Sequence, residues 1–175
     1  PYRESLPWAS VFVYWSDERQ VPLDDPASNY AMAKAQLLDR VPIPPDQVFP
    51  LIGDPTPALR RVPPDAGGRP RFDAIHLGLG EDGHTASLFP GSPALQERQA
   101  LVAAVHNAPK PPPHRLTLTL PVINAARAVL FMVQGEGKRE ALARVRRRDP
   151  ALPASHVQPV DGELRFLVDR AAAGE

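Results

Sequence analysis

A histidine and a carboxylate stand two positions apart in the stretch GLGEDGHTASLFPG, which holds Gly80, Asp82, Gly83, His84 and Thr85. Imidazole changes charge near neutral pH, and a nearby carboxylate suits it to act as a general base, so His84 is the leading candidate for proton transfer. Asp82 has two readings that spacing leaves open: it orients His84 or accepts from substrate hydroxyls, or it holds a turn, as an Asp before Gly often does. Glu81 reads as solvated. Gly78, Gly80 and Gly83 let the backbone approach a ligand closely. The cluster Asp17-Glu18-Arg19 follows a candidate strand, and one or more of its side chains is expected in the same cleft; an ion-paired loop is the plainer alternative. Lys138 opens a candidate helix after Gly135 and Gly137, where its charge and free amides would act together on an anion, and Arg115 is a second candidate for gripping phosphate.

The remaining candidates have plainer explanations. His76 lies within an apolar strand pattern, His106, His114 and His156 lie in or beside loops, and the histidine spacing matches no metal-ligand pattern. Arg144, Arg146, Arg147 and Arg148 form a basic run without interleaved aromatics, as expected of a solvated helix end rather than a nucleic-acid patch.

The elements that must position these groups alternate. Phe72 to Leu79 reads as a buried strand, parallel and covered on both faces, which delivers His84 to the carboxyl end of a sheet. Further strands are expected at Val11 to Trp15, Val48 to Ile52, Leu101 to Val105, Arg115 to Leu120, Ala128 to Val133 and Leu164 to Val168. Helices are expected over Pro26 to Arg40, Pro121 to Arg127 and from Lys138 to about Arg148, with a short helix or turn near Pro150 to Ser155. Pro1 to Trp8 reads as a connection, Gly53 to Arg71 as a proline-rich loop with one helical turn, and Asn107 to Pro113 as a stiff connector. The pattern predicts a single α/β domain over residues 1–175, a doubly wound, mostly parallel sheet in a Rossmann-like three-layer sandwich.

Composition sets limits. Twenty basic and twenty acidic residues cancel, which removes any overall field that would recruit nucleic acid or an anionic membrane. The absence of cysteine excludes thiol catalysis, thiolate metal sites and a disulfide framework, and agrees with a cytoplasmic protein. No apolar run approaches the roughly 18 residues of a membrane span, so no membrane partner is expected.

Four blocks in order, WSDERQVPLDDPASNYAMAK from Trp15, GLGEDGHTASLFPG from Gly78, RLTLTLPVINAA from Arg115 and VQGEGKREAL from Val133, resemble the 6-phosphogluconolactonase family within the sugar-phosphate isomerase and deaminase group. The resemblance covers nearly the whole chain. It implies hydrolysis of 6-phospho-D-glucono-1,5-lactone to 6-phospho-D-gluconate in the oxidative pentose phosphate pathway, without metal or other cofactor. A small-molecule sugar phosphate is then the substrate, and a monomer is expected. It also implies that His84 is the base activating water, with Asp82 beside it, and that Arg19 holds a carboxylate or stabilises charge on the lactone oxygen. Gly80, Gly83, Thr85, Arg115 and Lys138 become substrate-binding positions, the last two for phosphate. In the family a strand and a loop of the type GGSTP precede the first block; nothing here matches them, and an N-terminal truncation is expected. The resemblance leaves two alternatives, a glucosamine-6-phosphate deaminase-like isomerase and a non-catalytic sugar-phosphate-binding domain. The deaminases carry a Glu five positions after the His, where this chain has Phe89, and TASLFPG is similar to the lactonases.

Overall fold

The computed structural model describes residues 3–175, so residues 1 and 2 of the expected N-terminal connection lie outside it. In chain order the strands are β1 (Val13–Tyr14), β2 (Asp17–Arg19), β3 (Val48–Phe49), β4 (Ile75–Gly78), β5 (Val102–Val105), β6 (Arg115–Leu118), β7 (Ala128–Val133) and β8 (Glu163–Val168). The α-helices are α1 (Asn29–Gln36), α2 (Thr56–Leu59), α3 (Leu120–Asn124), α4 (Arg139–Arg146) and α5 (Arg170–Ala173). The α/β class and the parallel pairing hold: β4, β7 and β8 form one parallel sheet in that order, and β1 pairs with β3 in parallel. Periodicity gave no sign of the third sheet, β2-β6-β5, which is antiparallel throughout.

Register explains the core. Leu77, Phe131 and Phe166 lie side by side across β4, β7 and β8, and the two phenyl rings stack 5.0 Å apart. Helix α4 covers this layer with Ala141, Leu142 and Val145, spaced to share one face. Contrary to the two-sided burial expected of β4, its residues alternate, with Ile75 and Leu77 buried and His76 and Gly78 exposed. The neighbouring open row continues through Met132 and Leu167, which are 52% and 56% exposed.

Several elements end earlier than the pattern suggested, for local reasons. Helix α1 begins at Asn29 rather than Pro26 because Ser28 caps it, accepting from the Ala31 amide. Proline 50 stops β3 after Phe49, since it has no amide to continue a ladder. The proline-rich stretch is tied down by Leu59, 1% exposed, and by Asp65, whose carboxylate accepts from the Gly67 and Arg69 amides. The alanine-rich tail forms α5, capped by Asp169. No helix among the described residues is long and apolar enough to cross a membrane.

Candidate active site

Because β4 and β7 are parallel, their carboxyl ends open on the same edge, and the two loops that follow carry His84 and Lys138. The first loop is a tight turn in which the Gly80 amide donates to the His84 carbonyl at 2.8 Å and the Gly83 amide to the Gly80 carbonyl at 3.0 Å. A side chain at Gly80 would collide with the imidazole: its Cβ would lie 2.0 Å from His84 Nδ1 and 2.5 Å from Asp82 Oδ1. The imidazole occupies that space and reaches Asp82, with Nδ1 2.5 Å from Oδ1. Burial acts to raise the Asp82 carboxyl, but hydrogen bonds from the His84 ring and nearby amides outweigh it and hold the carboxyl below its ordinary range. An ionised Asp82 fixes the His84 tautomer with hydrogen on Nδ1, which leaves the lone pair on Nε2. Phe89 packs against the ring, with centroids 4.7 Å apart.

The second half of the site comes from the antiparallel sheet. Arg19 and Arg115 are direct cross-strand partners, as are Asp17 and Thr117, so these side chains share one face of β2 and β6. Two guanidiniums side by side repel, an arrangement that favours an anion in front of them. The Arg115 Nε and Nη2 atoms donate to the Pro112 and Lys110 carbonyls at 3.0 and 2.8 Å, and Arg19 Nη1 donates to the Ala27 carbonyl at 2.7 Å. The buried Arg19 Nε has no partner among the described residues. Burial, and then the neighbouring Arg19, push the Arg115 guanidinium below its usual value, with Asp17 opposing. Asp17 is itself raised, first by burial, while the Ser87 hydroxyl and the two arginines pull the other way.

Glu18 points to the opposite side of β2 and is 1% exposed. Its carboxylate accepts from the amides of Arg19, Asn29 and Tyr30, each at 2.7 Å, and from Ser28 Oγ at 3.2 Å. These contacts pin the start of α1, whose positive end favours the charge, to the strand carrying Asp17 and Arg19. Asn29 in turn donates from Nδ2 to the Asp17 carbonyl at 2.9 Å.

Between the halves lies a cavity of about 420 Å³ walled by His84, Phe89, Asp17, Arg19, Arg115 and Lys138, among others. Lys138 ends the short 3-10 turn Glu136–Lys138 that leads into α4, and its Nζ stands 3.7 Å from a Glu81 carboxylate oxygen. The wall has four cationic side chains, Arg19, Lys110, Arg115 and Lys138, against the single carboxylate of Asp17. A general base, an anion-binding surface and a pocket of this size suit a small phosphorylated substrate.

The model of the family described as glucosamine-6-phosphate isomerases/6-phosphogluconolactonase matches residues 1–166. The chain belongs to this family. It is 44% identical to 6-phosphogluconolactonase of Rattus norvegicus over 177 residues, covering 93% of this chain and 68% of the rat protein. Against the Homo sapiens 6-phosphogluconolactonase the identity is again 44%, over 90% of this chain and 65% of the human one. The chain thus spans about two thirds of the length of these relatives. The solved 6-phosphogluconolactonase of Trypanosoma brucei superposes with a TM-score of 0.80 at 32% identity, over 92% of this chain and 72% of that one.

Of the residues that the family resemblance named, the structure gathers His84, Arg19, Gly80, Arg115 and Lys138 at one cavity, with Asp82 behind the imidazole. Gly83 and Thr85 do not line it. Gly83 sits at φ +79° with Leu152 where a side chain would go, and its carbonyl accepts from the Ala154 amide. Thr85 is fully buried and donates from Oγ1 to the Gly78 carbonyl at 2.9 Å. Both shape the turn. Lys110 is a wall residue that sequence reasoning passed over, whereas Asp17 enters the wall as one of the Asp17-Glu18-Arg19 cluster expected at the cleft. The stretch Asn107 to Pro113, read as a connector, supplies Lys110 and the carbonyls that hold Arg115. A usable signal existed for Lys110, because it is one of only three lysines, with Lys34 and Lys138.

Proposed function

We propose that this chain hydrolyses 6-phospho-D-glucono-1,5-lactone to 6-phospho-D-gluconate in the oxidative pentose phosphate pathway, a reading supported by its similarity to proteins named 6-phosphogluconolactonase. The observation that carries the reading is the Asp82-His84 pair standing in one cavity with the Arg19-Arg115 pair. His84 Nε2 takes a proton from water, and the hydroxide attacks the lactone carbonyl. Charge gathers on the carbonyl oxygen, where Arg19 stabilises it. The tetrahedral intermediate collapses with cleavage of the bond between the carbonyl carbon and the ring oxygen, and the proton on His84 passes to that oxygen. Asp82 keeps the imidazole oriented and offsets its transient positive charge. Arg115 and Lys138 hold the phosphate, and Gly80 leaves the space His84 needs.

Phe89 favours hydrolysis over ring-opening isomerisation, because at the position five residues after His84, where the deaminases carry a Glu, an apolar ring rests against the imidazole. Sugar phosphates are anions that do not cross membranes freely, which supports a cytoplasmic location. The test is the rate of lactone hydrolysis above the spontaneous background, for the chain and for His84→Ala. A catalysed rate that falls by about 10²-fold or more in the variant is expected. An equal rate in both would remove His84 from the reaction, and no rate in the parent would remove the activity from this chain.

A further inference from the structure

The two halves of the cavity come from distant parts of the chain, and one side chain bridges them directly. Ser87 is fully buried, and its Oγ donates to Asp17 Oδ2 at 2.6 Å. Its amide donates to Thr117 Oγ1 at 3.2 Å, on the β6 residue directly opposite Asp17. The residue before it, Ala86, takes φ +48°, a left-handed conformation that an L side chain adopts at a cost. Ala86 also lines the cavity. The chain therefore accepts an unfavourable backbone geometry at Ala86, three residues after Gly83 has already turned it, and the outcome is a hydroxyl aimed at a buried carboxylate.

We infer that Ser87 is a positioning residue for the lactonase site: through Asp17 it locks the turn carrying His84 to the strand carrying Arg19. Asp17 is the counter-charge for Arg19 and Arg115 on their shared sheet face. Its other oxygen has only a long contact, 3.4 Å from Asn29 Nδ2, so Ser87 is the principal side-chain donor that keeps it in place. The charged and titratable groups around Asp17 are Glu18 and Arg19 on β2, Arg115 on β6, and His84, Lys110 and Lys138 across the cavity. Burial favours the protonated carboxyl, and the Ser87 hydroxyl opposes that preference. Without Ser87, Asp17 takes up a proton at higher pH, and the arginine pair loses its balancing charge there.

This inference rests on the proposed lactonase reaction only for its kinetic readout. In Ser87→Ala the acid limb of kcat/KM should move to higher pH, with an about ten-fold loss on that limb and recovery towards the parental value on the alkaline side. In an Asp17→Asn background the same substitution should leave the profile where it was. A loss of the same size at every pH, or an equal effect of Ser87→Ala in both backgrounds, would overturn the coupling in favour of a purely structural role. A second measurement needs no turnover: the pH titration of the Asp17 side-chain carboxyl followed by carbon-13 NMR in the parent and in Ser87→Ala. A midpoint that rises in the variant supports the coupling even if the chain proves inactive on the lactone. An unchanged midpoint refutes it whatever the activity.

Discussion

Gly80→Ala tests whether the glycine exists for His84 rather than for the backbone. Gly80 is not among the glycines with positive φ, so alanine meets no conformational penalty at the backbone itself. The collision is instead with the imidazole, 2.0 Å from the new methyl carbon, and with the Asp82 carboxylate at 2.5 Å. Carbon contacts settle near 3.5–4.0 Å, so the ring must retreat by about 1.5 Å, enough to break the Asp82 hydrogen bond. A displacement of about 1 Å in a catalytic group costs about 10²-fold. We therefore expect kcat for lactone hydrolysis to fall by about 10²-fold in Gly80→Ala. Thermal unfolding should change little, because the atoms that yield are side-chain ends that can swing outward. A double variant supplies the control: Gly80→Ala added to His84→Ala should cost no further activity, since the group it displaces is already gone. Parental kcat in Gly80→Ala would refute the argument, and so would a large loss of stability that His84→Ala failed to relieve.

Glu18→Ala removes the acceptor for three amides and the Ser28 hydroxyl at a site 1% exposed, and should destabilise the chain by about 3 kcal/mol in denaturant unfolding. Asp17→Asn works the other way. Folding raises this carboxyl, so its ionised form costs stability above the ordinary carboxylate range, a cost absent below it. The Tm of Asp17→Asn relative to the parent should therefore increase as pH rises from about 4 towards neutrality, while activity falls. A Tm difference that is flat with pH would contradict this. Lys110→Ala should raise KM for the phosphorylated lactone about ten-fold with kcat nearly unchanged, since the backbone carbonyl that holds Arg115 survives the substitution. Unphosphorylated gluconolactone should show no such difference between the two proteins.

What the sequence disclosed and what it withheld divide along contact distance. The Asp82-His84 pair was legible because its geometry is local: a glycine-bracketed turn brings two residues of known chemistry within hydrogen-bond reach. Lys138 was legible for the same reason, as a cation at the entrance to a helix. The partnership of Arg19 with Arg115 is another matter. It depends on an antiparallel register between strands 96 positions apart, and no periodicity within either strand specifies its partner. The family resemblance named both arginines, yet only the fold shows that they are neighbours on one face. Thr85 and Gly83, expected at the substrate, lie in the turn beside the cavity, and a turn next to a site uses the same residue types as the site. Small, polar and glycine positions serve to close the loop on Gly78 and Leu152 as readily as to touch a ligand.

Asp17 and Glu18 show the same limit at its sharpest. They are adjacent carboxylates, and composition treats them alike. Strand alternation sends them to opposite sides of β2, so Glu18 caps α1 while Asp17 enters the cavity. Their charges are then stabilised by different means. Glu18 is surrounded by amides of a helix start, fixed hydrogen-bond donors that no substrate displaces. Asp17 relies on one hydroxyl and two arginines that an anionic substrate would also engage. The balance at Asp17 is therefore the one that substrate binding can alter, and exchanging the two roles would require only a one-residue shift in the register of β2 against β6. The four hydrogen bonds to Glu18 oppose that shift, so the carboxylate that takes no part in the chemistry fixes the one that faces it.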